Sequence, residues 1–527
     1  MIIDNCLIVK GTFLKNNAVF CLANIYAPCD SRGRKDLWDA LTNLIQLHGD
    51  AAWCVLGDLN VVRSSEVRRG RVENNVYVDY APLNQFIDDN WLIDLPLCGR
   101  NFTWYRGDGV SMSRLDRFLL SEAWVSLFPN CIQVALPRGL SDHCLLLLTT
   151  DEENSGPKPL RMLKCSADVP GYVDFVKEKW QFFQVQGWSG FVLKEKLKYL
   201  KESLPSWHLN HTFNIDSKIQ GAKVRLAVLD AMGENNMLGA QEVDELHMLS
   251  ADIMALSKLQ VSMQWQKLRV NWLKEGDANS KFFHGIMSSR KRSNSIISLL
   301  VDGVNIEGVE PVRQTVFQHF HSHFKRSPQA RPEIGGLVFN TLSVAERDDL
   351  IKPFLLAEIK AAVRDCDSFK CPGPDGVNLG FFKEFWEVLK IDLLKFFAGF
   401  YRNGKLTKGL NSTFIALIPK VDSPQRVADF RPISLVSSVY KILSKVLANR
   451  LRKVVGNVVS DSQSTFIKGR QILDGILVAN ELIDDAKVKK KDLLKFKLDF
   501  EKAYDSIDWE YIDEVMNKMN FPRLWQS

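Results

Sequence analysis

In the first third of the chain, carboxylates stand where apolar runs end. Asp58 follows Trp53-Cys54-Val55-Leu56-Gly57, Asp116 lies inside Ser113-Arg114-Leu115-Asp116-Arg117-Phe118, and Asp142 precedes His143 in Leu140-Ser141-Asp142-His143-Cys144. Loops at strand ends are where a scaffold builds a site. Carboxylates, a histidine and an asparagine gathered there could hold a divalent cation and activate a water against a phosphodiester. A histidine in such a set needs an orienting carboxylate to keep its other ring nitrogen aimed. Taken singly, Gly57-Asp58-Leu59-Asn60 reads as a turn after a strand, and Ser141-Asp142-His143 as a cap or surface loop. Their order carries more: Asn24-Ile25-Tyr26-Ala27-Pro28, then Gly57 to Asn60, Asn101-Phe102-Thr103-Trp104, Ser113 to Leu120, and Ser141 to His143.

A second series lies near the C-terminus. Cys371-Pro372-Gly373-Pro374-Asp375-Gly376 is a turn-rich entry to a helical pattern through Phe381, Phe382, Phe385 and Trp386. Phe414 to Lys420 reads as a strand ending on a cation, followed by Asp429-Phe430-Arg431-Pro432 and a helix from Tyr440 to Leu451. Gln463 to Arg470 comes next, and a strand at Lys495 to Leu498 enters Asp499-Phe500-Glu501-Lys502-Ala503-Tyr504-Asp505. An aspartate ending a core strand can hold Mg²⁺ while a triphosphate supplies the other oxygens. Lysine and arginine on neighbouring strands can neutralise that triphosphate. Singly, Lys420 could be a solvated strand end, Asp499 a helix cap and Tyr504 a core aromatic.

These groups need elements to position them. Cys6 to Val9 and Val19 to Ile25 flank Lys15-Asn16-Asn17 and predict a hairpin. Asp36 to Leu47 has helical spacing, and strands follow at Trp53 to Leu56, Arg114 to Leu120 and Cys144 to Leu148. The mixture predicts an α/β sandwich over residues 1–150. Residues 151–340 read as a linker and a helical connector, with Leu246, Leu249, Ile253 and Leu256 on one face and the basic cluster Arg290-Lys291-Arg292. That stretch fits either a solvated connector or an arm that tracks nucleic acid. Residues 341–527 form the last unit, α+β in class.

Composition bounds the reading. At 527 residues two or three domains are expected, and 46% hydrophobic with 25% charged residues is the balance of a folded soluble protein. The net charge of +6 permits a nucleic-acid partner without demanding one. Ten cysteines without a CxxC pair argue against a zinc ribbon or a secreted disulfide framework, and point to a reducing intracellular compartment, nucleus or cytoplasm. No apolar run is long enough to span a bilayer, so no membrane partner is expected.

The first series resembles the endonuclease/exonuclease/phosphatase superfamily, and within it the apurinic-type endonucleases of LINE elements. The resemblance implies that Tyr26 and Asn60 contact the scissile phosphate and that Asp58 orients or deprotonates the attacking water. It further implies that Asp116 holds His143, that His143 hydrogen-bonds the phosphate, and that Asp142 belongs to a Mg²⁺ shell. The run from Gly373 to Trp509 resembles the fingers and early palm of LINE-type reverse transcriptases. There the resemblance makes Asp499 a catalytic metal ligand, Tyr504 the sugar-selecting gate, and Lys420 and Arg431 triphosphate contacts. Trp272 to His284 resembles the segment between the two enzymes in plant LINE proteins. DNA, RNA and a nucleotide triphosphate are the partners so implied.

Two departures temper the activity expected. The superfamily carries an asparagine and a metal-binding glutamate before the Tyr-Ala-Pro segment, whereas no glutamate here precedes Glu66. A reverse transcriptase also needs a later Asp-Asp hairpin, and the tandem acids Asp88-Asp89, Asp348-Asp349 and Asp484-Asp485 lie in helical or linker contexts. The sequence thus predicts both domains to be truncated, the sandwich left open, and both catalytic sites incomplete. A non-catalytic nucleic-acid-binding remnant and a decayed element fragment remain the alternatives.

Overall fold

The computed structural model describes residues 2–70, 80–150, 156, 159–162, 164–211, 214–235, 237–268, 294–325, 334–496, 498 and 507–527. The chain forms two compact units, one of residues 1–158, 267–325 and 415–433, the other of 159–266, 326–414 and 434–527.

In the first unit the expected hairpin forms. Strand β1 (Ile2–Ile3) pairs with β2 (Cys6–Thr12), and β2 pairs antiparallel with β3 (Val19–Tyr26) from Cys6↔Ile25 to Thr12↔Val19. Asn17 takes a left-handed φ of 54° in the connecting turn, a conformation asparagine tolerates better than most residues. Helix α1 (Ser31–Leu47) then crosses to β4 (Ala52–Asp58), which runs parallel to β3. The helix begins earlier than its apolar spacing suggested. Asp30 caps it by accepting from the Gly33 N–H at 2.7 Å, and a polar first turn carries no hydrophobic signal.

After α2 (Ala81–Asp89), the strands β6 (Ile93–Asp94) and β10 (Asp116–Leu120) complete a six-stranded sheet ordered β1-β2-β3-β4-β10-β6. Strand β5 (Arg68–Arg69), β8 (Trp104–Tyr105) and β9 (Met112–Ser113) make a small sheet. The strands β7 (Leu97–Cys98), β11 (Cys131–Ala135) and β12 (Leu146–Thr150) make another. Period-two alternation sets the packing. Trp53 and Val55 of β4 face α1 and α2 in a core with Leu41, Leu83 and Phe86, while Ala52 and Cys54 face Leu120, Trp124 and Cys131. The sheet is thus covered on both faces, as an α/β sandwich requires.

The same unit holds the hairpin β13 (Ser298–Val301) and β14 (Val304–Glu307), and the helix Val309–Phe324. Strands β15 (Thr413–Pro419) and β16 (Phe430–Val436) pair, and the 415–433 part of that hairpin contributes Val427 and Phe430 to a cluster with Leu299 and Val312.

The second unit is helical, with a main core and a smaller cluster of Leu342, Leu350, Val454, Val458 and Phe521. Helices Tyr172–Phe182 and Ser189–His211 pack with Leu356–Asp365, Trp386–Asn403 and Ser438–Val458 through Val176, Leu193, Ile359, Phe397 and Ile442. The Pro-Gly-Pro-Asp turn has a definite job. Asp375 accepts from the Ser438 N–H at 2.6 Å and caps the helix Ser438–Val458. A Cβ on Gly373 would run into the Val436 carbonyl group, so the close approach needs glycine. That helix extends beyond the expected Tyr440 to Leu451 at both ends.

One expectation fails. Lys495, Phe496 and Leu498 form no strand, and Phe496 and Leu498 are exposed. A strand needs a neighbour for its backbone groups, and local apolar content does not supply one. The connector motif Trp272 to His284 and the cluster Arg290-Lys291-Arg292 lie outside the described residues. Among the described residues no helix is long and apolar enough to cross a membrane.

Candidate functional site

Strand register, rather than any local motif, builds the site. Tyr26 pairs with Asp58 across β3 and β4, and Asp58 pairs with Asp116 across β4 and β10. Three strands therefore deliver a phenol and two carboxylates in one row at their ends. The backbone bends there by necessity. Gly57 has φ of +124°, and a Cβ on it would strike the Ile25 carbonyl. Asn60 follows at φ 47°, with its N–H donated to Asp58 Oδ1 at 2.9 Å and its side-chain Nδ2 donated to the Ala27 carbonyl at 2.7 Å. The Gly-Asp-Leu-Asn tetrapeptide is thus a turn as well as a part of the site.

His143 arrives from the opposite side. Its Nδ1 lies 2.9 Å from Asp116 Oδ2 and its Nε2 lies 3.9 Å from Asp58 Oδ2. With Asp116 accepting at Nδ1, that nitrogen carries the proton and Nε2 faces Asp58. The indole Nε1 of Trp104 donates to Asp142 Oδ2 at 2.9 Å, and Trp104 bridges His143 through the backbone. Tyr26 is exposed, with its ring open to solvent at the end of the row. Tyr26, Asp58, Asn60, Asp116, Asp142 and His143 thus come together from four separate stretches of sequence.

Burial and charge set the protonation states. Burial lifts the Asp58 carboxyl above its ordinary value, the Asn60 N–H opposes it, and the neighbouring Asp116 adds to the rise. Burial draws the His143 imidazolium down, but its bond to Asp116 and the charges of Asp116, Asp58 and Asp142 outweigh it and hold the pKa above normal. Asp142 is lowered, first by the Trp104 bond. The raised His143 contributes stability that is fully present below its unfolded value of 6.5 and is lost as pH rises through its folded value.

Asp58 follows the same sign. Its folded pKa stands above 3.8, so the ionised carboxylate costs stability at neutral pH. Asp58→Asn, which can still accept the Asn60 N–H, is expected to stabilise the chain at pH 7. The gain should fade toward about pH 3, where both states bind the proton. Denaturation curves across that range check it, and a less stable variant at pH 7 would contradict it.

Thr103, inside Asn101-Phe102-Thr103-Trp104, holds the site together. Its hydroxyl accepts from the Leu115 and Asp116 N–H groups, both at 3.0 Å, and its carbonyl accepts from Cys144 at 2.7 Å. It therefore clamps the strand of Asp116 to the residue after His143. Only the register shows this, since a threonine between two aromatics is an ordinary strand signal.

The described residues do not fit a metal cage. One oxygen of each carboxylate is engaged: Asp116 Oδ2 by His143, Asp142 Oδ2 by Trp104, and Asp58 Oδ1 by the Asn60 N–H. No group of three or more His, Cys, Asp or Glu placed to hold a metal ion occurs among the described residues.

The second series is placed in part. Asp499 and Tyr504 lie outside the described residues. Lys420 sits just past β15, with its ammonium donated to the Ala428 carbonyl at 2.9 Å, and Arg431 is exposed on β16. Asp429 accepts from the N–H groups of Gln425 and Arg426 at 2.9 and 2.8 Å, closing the loop between them.

A sandwich bearing an Asp-His-Asp row, together with a segment carrying a hairpin with Lys420 and Arg431, defines a two-part protein. Residues 15–143 match the Endonuclease/Exonuclease/phosphatase family, and residues 418–527 match the family described as Reverse transcriptase (RNA-dependent DNA polymerase). The chain thus carries endonuclease-like and reverse-transcriptase-like segments. It is similar to the "Transposon TX1 uncharacterized 149 kDa protein" of Xenopus laevis, 25% identical over 533 residues that cover 96% of this chain and 40% of that protein. It is also similar to the "Retrovirus-related Pol polyprotein from type-1 retrotransposable element R2" of Nasonia vitripennis, 26% identical over 177 residues that cover 34% of this chain and 16% of that one. The chain therefore spans well under half the length of either relative.

Proposed function

We propose that the chain derives from a non-LTR retrotransposon polyprotein of the LINE type found in plants, and that its nuclease-like segment engages the phosphodiester backbone of DNA at the His143 row. The observation that carries the reading is the Asp58–His143–Asp116 arrangement at the ends of three paired strands. Asp116 holds the ring through Nδ1, the imidazolium form that the raised pKa favours offers an Nε2–H donor to phosphate oxygen, and Asn60 and Tyr26 flank it. The polymerase reading rests on the match over 418–527 and on Lys420 and Arg431. By family, Mg²⁺, RNA and a nucleotide triphosphate go with that segment.

With no group of three or more metal-holding side chains among the described residues, the site is expected to bind phosphate and to cleave it poorly. Binding of a short DNA duplex by the purified chain should weaken about tenfold or more between roughly 50 and 200 mM salt, as a few neutralised phosphates require. His143→Ala should remove part of that slope. Absent or salt-insensitive binding would refute the reading. Efficient Mg²⁺-dependent nicking of supercoiled plasmid, abolished by His143→Ala, would replace it with a catalytic one.

A further inference from the structure

The loop between β15 and β16 is buried where a hairpin tip is ordinarily exposed. Ser423 is 8% and Gln425 5% exposed. Both are engaged by the nuclease-like segment. Ser423 Oγ accepts from the Leu97 N–H at 3.2 Å and from Arg114 Nη1 at 2.9 Å. Gln425 Nε2 donates to the Leu97 carbonyl at 3.0 Å and to the Arg100 carbonyl at 3.4 Å. The Gln425 carbonyl accepts from Leu300 of β13 at 2.7 Å, and Val427 and Phe430 pack on Leu299 and Val312.

The partner surface requires such an occupant. Arg114 is a buried guanidinium, and its other terminal nitrogen is satisfied by Asp94 at 3.0 Å and by the Leu95 carbonyl at 2.6 Å. Without Ser423 its Nη1 loses the acceptor it has here, and leaving a buried charged donor unpaired costs more than an ordinary hydrogen bond returns. The Leu97 and Arg100 carbonyls would lose a partner as well.

We propose that residues 422–426 are a docking element: the hairpin whose loop and second strand open the reverse-transcriptase match is a folded part of the nuclease-like body, held by the surface of Leu97, Arg100 and Arg114. The docked segment 97–100 leads directly into Thr103, which clamps Asp116 and Cys144. The position of the polymerase-type hairpin is thereby linked to the alignment of the His143 row. This inference stands on the contacts alone and does not depend on what the row binds.

Amide hydrogen exchange on the full chain tests it. In the wild-type chain the Leu97 and Leu300 amides should exchange slowly, because their acceptors belong to the docked loop. In a Ser423→Ala, Gln425→Ala double variant the 95–100 segment should exchange at least about tenfold faster, the size expected for losing hydrogen bonds of about 1 kcal/mol each. Faster exchange that also reaches β4 supports the same reading, with hairpin and sheet opening as one body. Equal rates at 95–100 in both proteins overturn it. So does a wild-type Leu97 amide that exchanges as fast as an unprotected loop, whatever the variant does.

Discussion

Replacing Asp94 with alanine should destabilise the sheet of the nuclease-like unit by about 3–5 kcal/mol, the range for breaking a buried ion pair from one side. Asp94 is one carboxylate shared by three guanidiniums: Arg117 at 2.6 Å, Arg114 at 3.0 Å and Arg63 at 3.2 Å. Burial pushes the Asp94 carboxyl up, and Arg114, Arg117 and Arg63 together override it and hold the pKa low. Its contribution is therefore present above 3.8 and lost as pH falls through the folded value. Arg117 shows what the cluster costs. Burial presses its pKa down to about 9 despite Asp94 beside it, with Arg114 and Arg63 adding like charge.

Without Asp94, Arg114 and Arg117 would remain buried as uncompensated charges, and the backbone would have to open to water. Asp94→Asn should lose most of the same stability, because an amide keeps the shape but not the charge. Replacing Asp94, Arg114 and Arg117 together by leucine and methionines should recover much of it, as apolar replacements of buried ion clusters often do. The measurement is a denaturant titration read from the exchange-protected amides of β4, since a chain of two units need not unfold in one step. A loss under about 1 kcal/mol for Asp94→Ala would mean the cluster is solvated rather than buried.

The second large effect belongs to Arg450 in the helical unit. Its guanidinium binds Glu358 through Nε at 2.6 Å and Nη2 at 2.9 Å, and donates to the carbonyls of Leu350, Lys352 and Pro353 at 2.9, 2.5 and 3.1 Å. It also lies 4.3 Å over the Phe354 ring. One side chain thus ties the helix Ser438–Val458 to the turn before Leu356–Asp365 and to that helix's first turn. Arg450→Ala should cost about 3–5 kcal/mol, because it strands Glu358 and three carbonyls. Arg450→Lys should rescue little, since an ammonium cannot span a bidentate carboxylate and a carbonyl fork together. Exchange of the amides in 356–365 reports it, and full rescue by lysine would show that charge alone matters there.

Much of the candidate site was legible before the structure. Asp58, Asp116 and His143 stand beside apolar runs whose alternation marks strands, and a strand ending in Gly-Asp-Leu-Asn has few ways to continue. The hairpin at Lys15-Asn16-Asn17 was equally plain, because its turn residues and flanking alternation agree. Lys495 to Leu498 was misread because apolar residues suit a strand only when another strand lies beside them. Asp94, Arg114 and Arg450 gave no signal, since a charged residue in sequence looks solvated until its partners are placed.

The amino-acid order alone determined which segments alternate, which turns bend, and which acids and histidine stand at strand ends. Those properties are local, set by side-chain periodicity and backbone sterics over a few residues. The tertiary structure decided that Tyr26, Asp58 and Asp116 share a row, that Thr103 clamps it, that Ser423 closes on Arg114, and that Gln425 closes on Leu97. Register and burial are long-range: a one-residue slip would turn every side chain to the other face, and only the packed sheet forbids it.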